Sequence, residues 1–224
     1  MAQTTKLTGP DGQEVPGTLS EPSGSKPRGA VLLIHEWWGL DEHTRDVADR
    51  LASEGFTVFA ADLYEGRVAK DEATAQQYLN TLDWKHAGEV LRRASEALRH
   101  RTPGAKVGVL GFCLGGAVSL FAAAKDPDIA ACVPFYGIPG EEKVDVTKIR
   151  APVQGHFARH DNWCTPERVN ELEKKLKDAH VPAELHRYDA HHAFFNDTRP
   201  KVYSKPDSEL AWARTVSFLH AKLD

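Results

Sequence analysis

A single cysteine stands between glycines in the stretch GFCLGG, residues 111–116, which follows the run KVGVL and precedes the run AVSLFAAA. The pattern G-x-nucleophile-x-G is typical of a sharp turn from a strand into a helix. Such a turn sets Cys113 at a helix N-terminus, where the helix dipole and free N–H groups favour a thiolate. The alternative is a buried cysteine in a glycine-rich packing turn. The flanking strand and helix patterns favour a nucleophile.

A nucleophile at this position requires a base, and the base requires an acid that orients it. In proteins that use this turn, the acid and then the histidine follow the nucleophile along the chain. Asp161 ends the run APVQGHFARHD, and His191 and His192 lie in the loop AHHAFFND. Adjacent side chains diverge, so only one of the two histidines can face Cys113. The turn also directs the Leu114 N–H at any oxyanion formed there.

Alternating apolar runs and amphipathic stretches predict the elements that position these residues. The predicted strands are AVLLIHE, FTVFAADLY, KVGVLGF, IAACVPFYG, APVQGHFARHD and AELHRYD, and the first 29 residues form a short β-rich or irregular entry. The predicted helices are DEHTRDVADRLASEG, WKHAGEVLRRASEALRHR, LGGAVSLFAAA, TPERVNELEKKLKDAH and DSELAWARTVSFLHAKLD. Continuous apolar strands alternating with helices are typical of an α/β sandwich around a mostly parallel sheet. Residues 1–224 are therefore expected to form one domain, with ligands at the carboxyl ends of the strands.

The composition argues against several classes of function. The 224 residues include 28 basic and 32 acidic side chains, a net charge of −4, so no basic surface for nucleic acid or anionic membrane is expected. The N-terminus is polar and no run is apolar enough to span a bilayer. Three widely spaced cysteines without a CxxC pair argue against disulfides and structural zinc, which favours a cytoplasmic protein. Adjacent histidines are also a poor metal pair.

Several segments together resemble the dienelactone hydrolases, also called carboxymethylenebutenolidases. They are VLLIHEWWGLDEHTRDVADRLASEGFTVFAADLYEGR, GVLGFCLGGAVSLFAAA, PFYG, ARHD and YDAHHAFFND, and the likeness runs from about residue 10 to the C-terminus. The resemblance implies a single three-layer α/β-hydrolase domain and a carboxylic ester hydrolase. It implies a Cys113–His192–Asp161 triad, which favours His192 over His191. It also implies that the Trp37 N–H is a second oxyanion donor.

The resemblance further gives a role to Glu36, which ends the first long predicted strand. In this family a glutamate at that position contacts the resting cysteine, and substrate displaces it so that the cysteine turns to the histidine. The physical reason is general, because a carboxylate beside a thiolate is a like-charge pair and disfavours the thiolate. The alternative for Glu36 is a cap or a loop ion pair.

The chain departs from the catabolic members of this family at two arginines that hold the carboxylate of the dienelactone. One of them precedes the third strand, but residues 68–91 contain Lys70 and Lys85 and no arginine. The other lies four residues after the catalytic histidine, where this chain has Asn196, with Arg199 nearby. Loss of a bidentate carboxylate clamp is not conservative, so the family is better supported than its named substrate.

Aromatic residues near the strand ends predict a pocket for a small ester or lactone. The predicted substrate-binding residues are Trp38, Tyr64, Phe112, Tyr136 and Phe195, although each of these rings could instead belong to the core. Residues 65–83 could close over the site. No cofactor or metal is expected, and we expect a monomer or weak homodimer. The competing functions are a general short-chain carboxylesterase or thioesterase of the same fold and a non-catalytic ligand-binding protein.

Overall fold

Strands and helices alternate along the chain in the computed structural model, which describes residues 5–24 and 27–224. The strands are β1 Thr5–Thr8, β2 Glu14–Ser20, β3 Gly29–Ile34, β4 Phe56–Ala61, β5 Val107–Phe112, β6 Ile129–Phe135, β7 Val153–His160 and β8 Ala183–His191. The helices are α1 Glu42–Ser53, α2 Glu72–Thr81, α3 Trp84–Arg101, α4 Leu114–Lys125, α5 Pro166–Asp178 and α6 Lys205–Leu223, with a 3₁₀ turn at Val146–Lys148. Residues 1–4 and 25–26 of the predicted N-terminal entry lie outside the described residues.

The eight strands form one sheet in the order β1-β2-β4-β3-β5-β6-β7-β8. The six strands from β3 to β8 pair in parallel, and β1 and β2 join antiparallel at one edge. Every residue of β3, β4 and β5 is buried, because helices cover both faces, as a parallel sheet requires. The predicted α/β class and mostly parallel sheet are confirmed.

Two apolar clusters lie on opposite faces of the sheet and produce the three layers. Leu91 of α3, Val118 of α4 and Leu172 of α5 pack on one face. Leu51 of α1 and Leu219 of α6 pack on the other. Since each helix buries one apolar stripe against a fully apolar strand surface, the central strands are held in fixed register and their carboxyl ends meet at one edge.

The last strand is longer than its sequence pattern predicted. The run AELHRYD ends at residue 189, but β8 continues to His191 and pairs there with His160 of β7. His192 is therefore the first residue beyond the strand. This placement brings it to the same edge of the sheet as Cys113, which follows β5 directly.

Candidate active site

Cys113 occupies a tight turn between β5 and α4, with φ 53° and ψ −114°. A side chain on Gly111 would collide with the carbonyl of Gly115, and one on Gly115 would collide with the carbonyl of Ile34. Glycine at these two positions therefore allows the helix to start close against β3 and β5. The positive φ of Cys113 is a strained conformation of the kind that persists at functional sites.

Three side chains from separate strand ends meet at this turn. The His192 Nε2 atom lies 3.2 Å from Cys113 Sγ, and its Nδ1 atom lies 2.7 Å from Asp161 Oδ2. The other oxygen of Asp161 accepts hydrogen bonds from the backbone N–H groups of Trp163, at 2.7 Å, and Cys164, at 3.0 Å. His191 is exposed, and its Nδ1 lies 3.3 Å from the carbonyl oxygen of His160. Of the two adjacent histidines, His192 is the one that faces the cysteine.

The charges of this group favour a protonated imidazole. Burial lowers the pKa of His192, but the Cys113 sulfur and the Asp161 carboxylate outweigh burial and raise the pKa to about 10. Burial also opposes ionisation of Asp161, yet its hydrogen bond from His192 holds its pKa below the usual value. The arrangement therefore places an imidazole whose protonated form is favoured between the Cys113 sulfur and the Asp161 carboxylate.

Two backbone amides that the sequence analysis assigned to an oxyanion site lie in the same cavity. Leu114 is the first residue of α4 and Trp37 follows β3, and both line the space in front of Cys113. Within the described residues, neither amide donates a hydrogen bond to another protein group. Both N–H groups are therefore free to bind another acceptor.

Glu36 differs from the expectation that it contacts the resting cysteine. Its side chain is 3% exposed, with Oε1 accepting a hydrogen bond from Tyr136 Oη at 3.2 Å and Oε2 accepting one from Asn196 Nδ2 at 3.0 Å. Burial and the neighbouring Glu36 carboxylate raise the pKa of Tyr136 well above its usual value, so its hydroxyl remains a donor. Cys113 has His192 as its hydrogen-bond partner, and each oxygen of Glu36 has a donor other than the cysteine.

A cavity of about 400 Å³ opens in front of Cys113. Glu36, Tyr136 and His192 line it beside the cysteine, and α2 contributes Glu72 and Leu79 to its wall. Part of the predicted covering segment, residues 65–83, therefore borders the cavity. The described residues contain no group of three or more His, Cys, Asp or Glu side chains arranged to hold a metal ion.

Comparison with known proteins decides the family. The family model described as the dienelactone hydrolase family matches residues 15–223. The chain belongs to the dienelactone hydrolase family. Protein usf of Aquifex pyrophilus is 35% identical over 219 residues, which cover 93% of this chain and 94% of that protein. A second relative, from Aquifex aeolicus, has the provisional name carboxymethylenebutenolidase. It is 32% identical over 224 residues, which cover 95% of this chain and 96% of that protein.

A solved structure from Klebsiella pneumoniae, provisionally named a dienelactone hydrolase, has a TM-score of 0.86. It is 27% identical and covers 97% of each chain. These findings confirm the resemblance to the family and the α/β-hydrolase fold, and they make the chain a carboxylic ester hydrolase. No helix in the described part of the chain has both the length and the apolarity needed to cross a membrane.

The structure corrects the predicted position of four aromatic residues in this family member. Of the five predicted, only Tyr136 lines the 400 Å³ cavity. Tyr64, Phe112 and Phe195 belong to the core, each at most 2% exposed, and Trp38 borders a separate cavity of about 230 Å³. Phe112 turns inward because β5 is buried on both faces, and its ring packs against Phe135 and Phe195.

Two tryptophans that sequence reasoning missed line the cavity. Trp163 is 50% exposed, and its ring lies 5.8 Å from that of Trp37 and 6.1 Å from that of His192. It stands two residues after Asp161, so a wider search of that strand end would have found it. Trp84 begins α3, and no pattern in the sequence connects this position to the site.

Of the three cations considered from the sequence, Arg199 lines the cavity and the two lysines do not. Lys143, Arg168 and Arg199 line it, whereas Lys70 and Lys85 do not. Arg199 has one carboxylate partner, Glu72 at 3.3 Å, and its guanidinium lies 4.7 Å from the ring of Trp38. Arg168 donates to the carbonyls of Trp163 and Ile138. The side chains of Arg168 and Arg199 are thus already held by protein groups.

Proposed function

We propose that this protein hydrolyses small lactones or activated esters, with Cys113 as the nucleophile, His192 as the base and Asp161 as its orienting acid. The observation that carries the proposal is the continuous contact from Cys113 Sγ through His192 to Asp161, with distances of 3.2 and 2.7 Å. The strained turn at Cys113 supports it, because it presents the sulfur at the start of α4.

In the first half of the reaction the Cys113 sulfur attacks the carbonyl carbon, and a carbon–sulfur bond forms. The amides of Leu114 and Trp37 donate to the oxyanion. When the tetrahedral intermediate collapses, the carbon–oxygen bond breaks and the leaving alkoxide or enolate takes the proton of the His192 imidazolium. A good leaving group can instead take its proton from solvent, and His192 then gives its proton to solvent before the second half begins.

In the second half a water molecule gives a proton to His192 and attacks the thioester carbonyl, and the carbon–sulfur bond breaks to release the acid. Asp161 fixes the tautomer of His192 in both halves. A thiolate is a good leaving group, so this chemistry suits activated esters and enol lactones better than amides. No step requires a cofactor.

The cavity supports a small apolar substrate. The rings of Trp37, Trp84, Trp163 and Tyr136 line it together with Leu79. Flat aromatic walls favour an unsaturated or aromatic ester over a flexible polar one. The unsaturated ring of a dienelactone meets this description, its carboxylate does not, and the family to which the chain belongs is named for that substrate.

A second candidate, a general short-chain carboxylesterase or thioesterase, is favoured by one observation. Asn196, at the position of the family's second arginine, is 1% exposed and does not line the cavity. No side chain at that position clamps a substrate carboxylate. A panel of cis- and trans-dienelactone, neutral p-nitrophenyl esters and acyl thioesters distinguishes the two candidates by kcat/KM. A higher kcat/KM for the carboxylated lactones supports the lactone hydrolase. A kcat/KM for neutral esters that equals or exceeds that value supports the general esterase or thioesterase.

The nucleophile is tested with Cys113→Ala, assayed against p-nitrophenyl acetate and dienelactones. Cys132→Ala is the matched control, since Cys132 is a fully buried cysteine of β6 in the core. We expect the first variant to lose at least about 10³-fold in kcat/KM and the control to stay within about threefold. Full activity in Cys113→Ala would overturn the nucleophile assignment.

A further inference from the structure

Asn196 is a buried amide whose two ends hold two different parts of the molecule. Its Oδ1 atom accepts hydrogen bonds from the backbone N–H of Thr198, at 3.1 Å, and from the Thr198 hydroxyl, at 2.6 Å. Its Nδ2 atom donates to Glu36 Oε2 at 3.0 Å, across 160 residues of chain. Because Oδ1 must accept from Thr198, the amide can present only its N–H groups to Glu36.

The second oxygen of Glu36 has its own donor in the Tyr136 hydroxyl, at 3.2 Å. Within the described residues no hydrogen bond joins Glu36 to Cys113, although both side chains line the same cavity. The sulfur pairs with His192 Nε2 instead. The carboxylate and the thiol thus line one cavity, both raise the pKa of Tyr136, and each has a different hydrogen-bond partner.

The distance between a carboxylate and a thiol controls how readily the thiol ionises. A carboxylate close to the thiol would accept its S–H or repel the thiolate, and either effect keeps the sulfur uncharged. If Oε2 loses the Asn196 donor, a buried oxygen is left unpaired, which is costly. Because Cys113 lines the same cavity as Glu36, we expect its S–H to become the replacement donor.

We propose that Asn196 is a positioning residue whose amide holds the Glu36 carboxylate away from Cys113, so that the sulfur pairs with His192 before any substrate binds. The inference rests on the proposed function, since it concerns the proposed nucleophile. It departs from the expectation that substrate must displace Glu36 from the cysteine. In this protein the displacement is built into the ligand-free fold.

The other ionisable groups around Cys113 are the same in every variant used to test this proposal. Those next to Cys113 and Glu36 are Tyr64, Tyr136, Asp161, Cys164 and His192. The charged side chains that line the cavity farther out are Glu72, Glu142, Lys143, Arg168 and Arg199. None of them is changed by a substitution at Asn196, Thr198 or Glu36.

The test is the rate of alkylation of Cys113 by iodoacetamide between pH 5 and 10, followed by mass spectrometry of the peptide that contains residue 113. In Asn196→Ala we expect alkylation at pH 7 to slow about tenfold and the midpoint of the pH profile to rise by about one unit. Thr198→Ala is the matched control, because it removes one hydrogen bond to the same amide and leaves the donor to Glu36 in place. The pH profile of alkylation in Thr198→Ala should match that of the protein without substitutions.

The double variant Glu36→Gln/Asn196→Ala shows whether Asn196 acts by positioning the Glu36 carboxylate or only by supporting its own loop after β8. With the carboxylate gone, removal of Asn196 should change the alkylation rate by less than about twofold relative to Glu36→Gln alone. Three results would each overturn the inference: an unchanged profile in Asn196→Ala, the same slowing in Thr198→Ala, or an equal slowing by Asn196→Ala in the Glu36→Gln background.

This experiment and the test of the proposed function fail in different ways. Alkylation measures the ionisation of the thiol whether or not the thiol attacks an ester. If Cys113→Ala keeps its esterase activity while Asn196→Ala shifts the alkylation profile, the proposed function falls and the inference about Asn196 stands. If Cys113→Ala loses its activity and Asn196→Ala has an unchanged alkylation profile, the proposed function stands and the inference about Asn196 falls.

Discussion

Two histidines of this protein, His192 at the edge of the sheet and His156 inside it, have the same number of hydrogen bonds, but their pKa values are shifted in opposite directions. His156 is fully buried in β7, with Nδ1 2.8 Å from the Tyr188 hydroxyl and Nε2 3.0 Å from the Thr215 hydroxyl. His192 has Asp161 and Cys113 in the corresponding places, at 2.7 and 3.2 Å. Both rings are therefore held in one orientation.

The charge of the partners accounts for the difference. Burial lowers the pKa of His156 well below its usual value, and the nearby positive charges of His186 and Arg214 lower it further. Burial acts on His192 in the same direction, but an acidic partner on each side raises its pKa to about 10. Two neutral hydroxyls orient the imidazole in the core, whereas a carboxylate and a sulfur beside His192 favour its protonated form.

Loss of the imidazole at the site should have the largest effect. In His192→Gln we expect kcat/KM for p-nitrophenyl acetate to fall at least about 10³-fold, because no group remains to hold the proton of the thiol. The free energy of unfolding should change by less than about 1 kcal/mol, since the ring is partly exposed and glutamine can still pair with Asp161. Retention of more than a tenth of the activity would remove His192 from its proposed role.

Loss of the charge on Asp161 should have the next largest effect. Asp161→Asn removes one of the two causes that raise the pKa of His192, so that pKa should fall. The imidazolium–thiolate pair becomes weaker, and we expect kcat to drop about 10²-fold together with slower alkylation of Cys113 at pH 7. A drop in kcat without any change in alkylation would show that Asp161 does not act through the protonation of His192.

The exposed ring of Trp163 should affect binding more than chemistry. In Trp163→Ala we expect KM for an aromatic ester to rise about fivefold and kcat to change by less than about twofold, because the backbone N–H of this residue still holds Asp161. Leu210→Ala is the matched control, since Leu210 is another exposed large apolar residue and lies on α6 away from the cavity. An unchanged KM for aromatic and aliphatic esters would contradict a binding role.

Loss of the core histidine should have the smallest effect on activity and a clear effect on stability. His156→Ala leaves a cavity, removes the partner of the Thr215 hydroxyl and leaves the Tyr188 hydroxyl with Arg214 alone. The free energy of unfolding at pH 7.5 should therefore fall by about 2–4 kcal/mol. The value of kcat per folded molecule should remain within about threefold of the unmodified protein.

The stability difference should depend on pH in one direction. The folded-state pKa of His156 lies well below 6.5, so its contribution to stability is complete above pH 6.5 and is lost as the pH falls below that value. The gap between the unmodified protein and His156→Ala should therefore narrow by about 1.4 kcal/mol per pH unit below 6.5. A constant or widening gap in denaturant titrations would contradict a neutral His156 in the folded protein.

The sequence patterns predicted strands β3 to β8, five of the six helices in the described residues and the turn at Cys113, because these depend on local spacing. They did not place β1, β2 or α2. They also predicted which strand ends supply Asp161 and His192, which lie together here. They did not predict that Phe112 and Phe195 turn into the core, since a residue at a strand end can face either way. The bond between Glu36 and Asn196 joins positions 160 residues apart and depends on the packing of two loops. Local sequence spacing therefore cannot predict this hydrogen bond.

The most direct test of the account is to find the acyl group. The protein is mixed with p-nitrophenyl acetate, quenched in acid within the first turnover, digested and analysed by peptide mass spectrometry. We predict one acetyl group on the peptide that contains Cys113, formed as fast as p-nitrophenol is released and lost at the rate of turnover. A complete turnover without acetyl on Cys113, or with the acetyl group on another residue, would contradict the central claim.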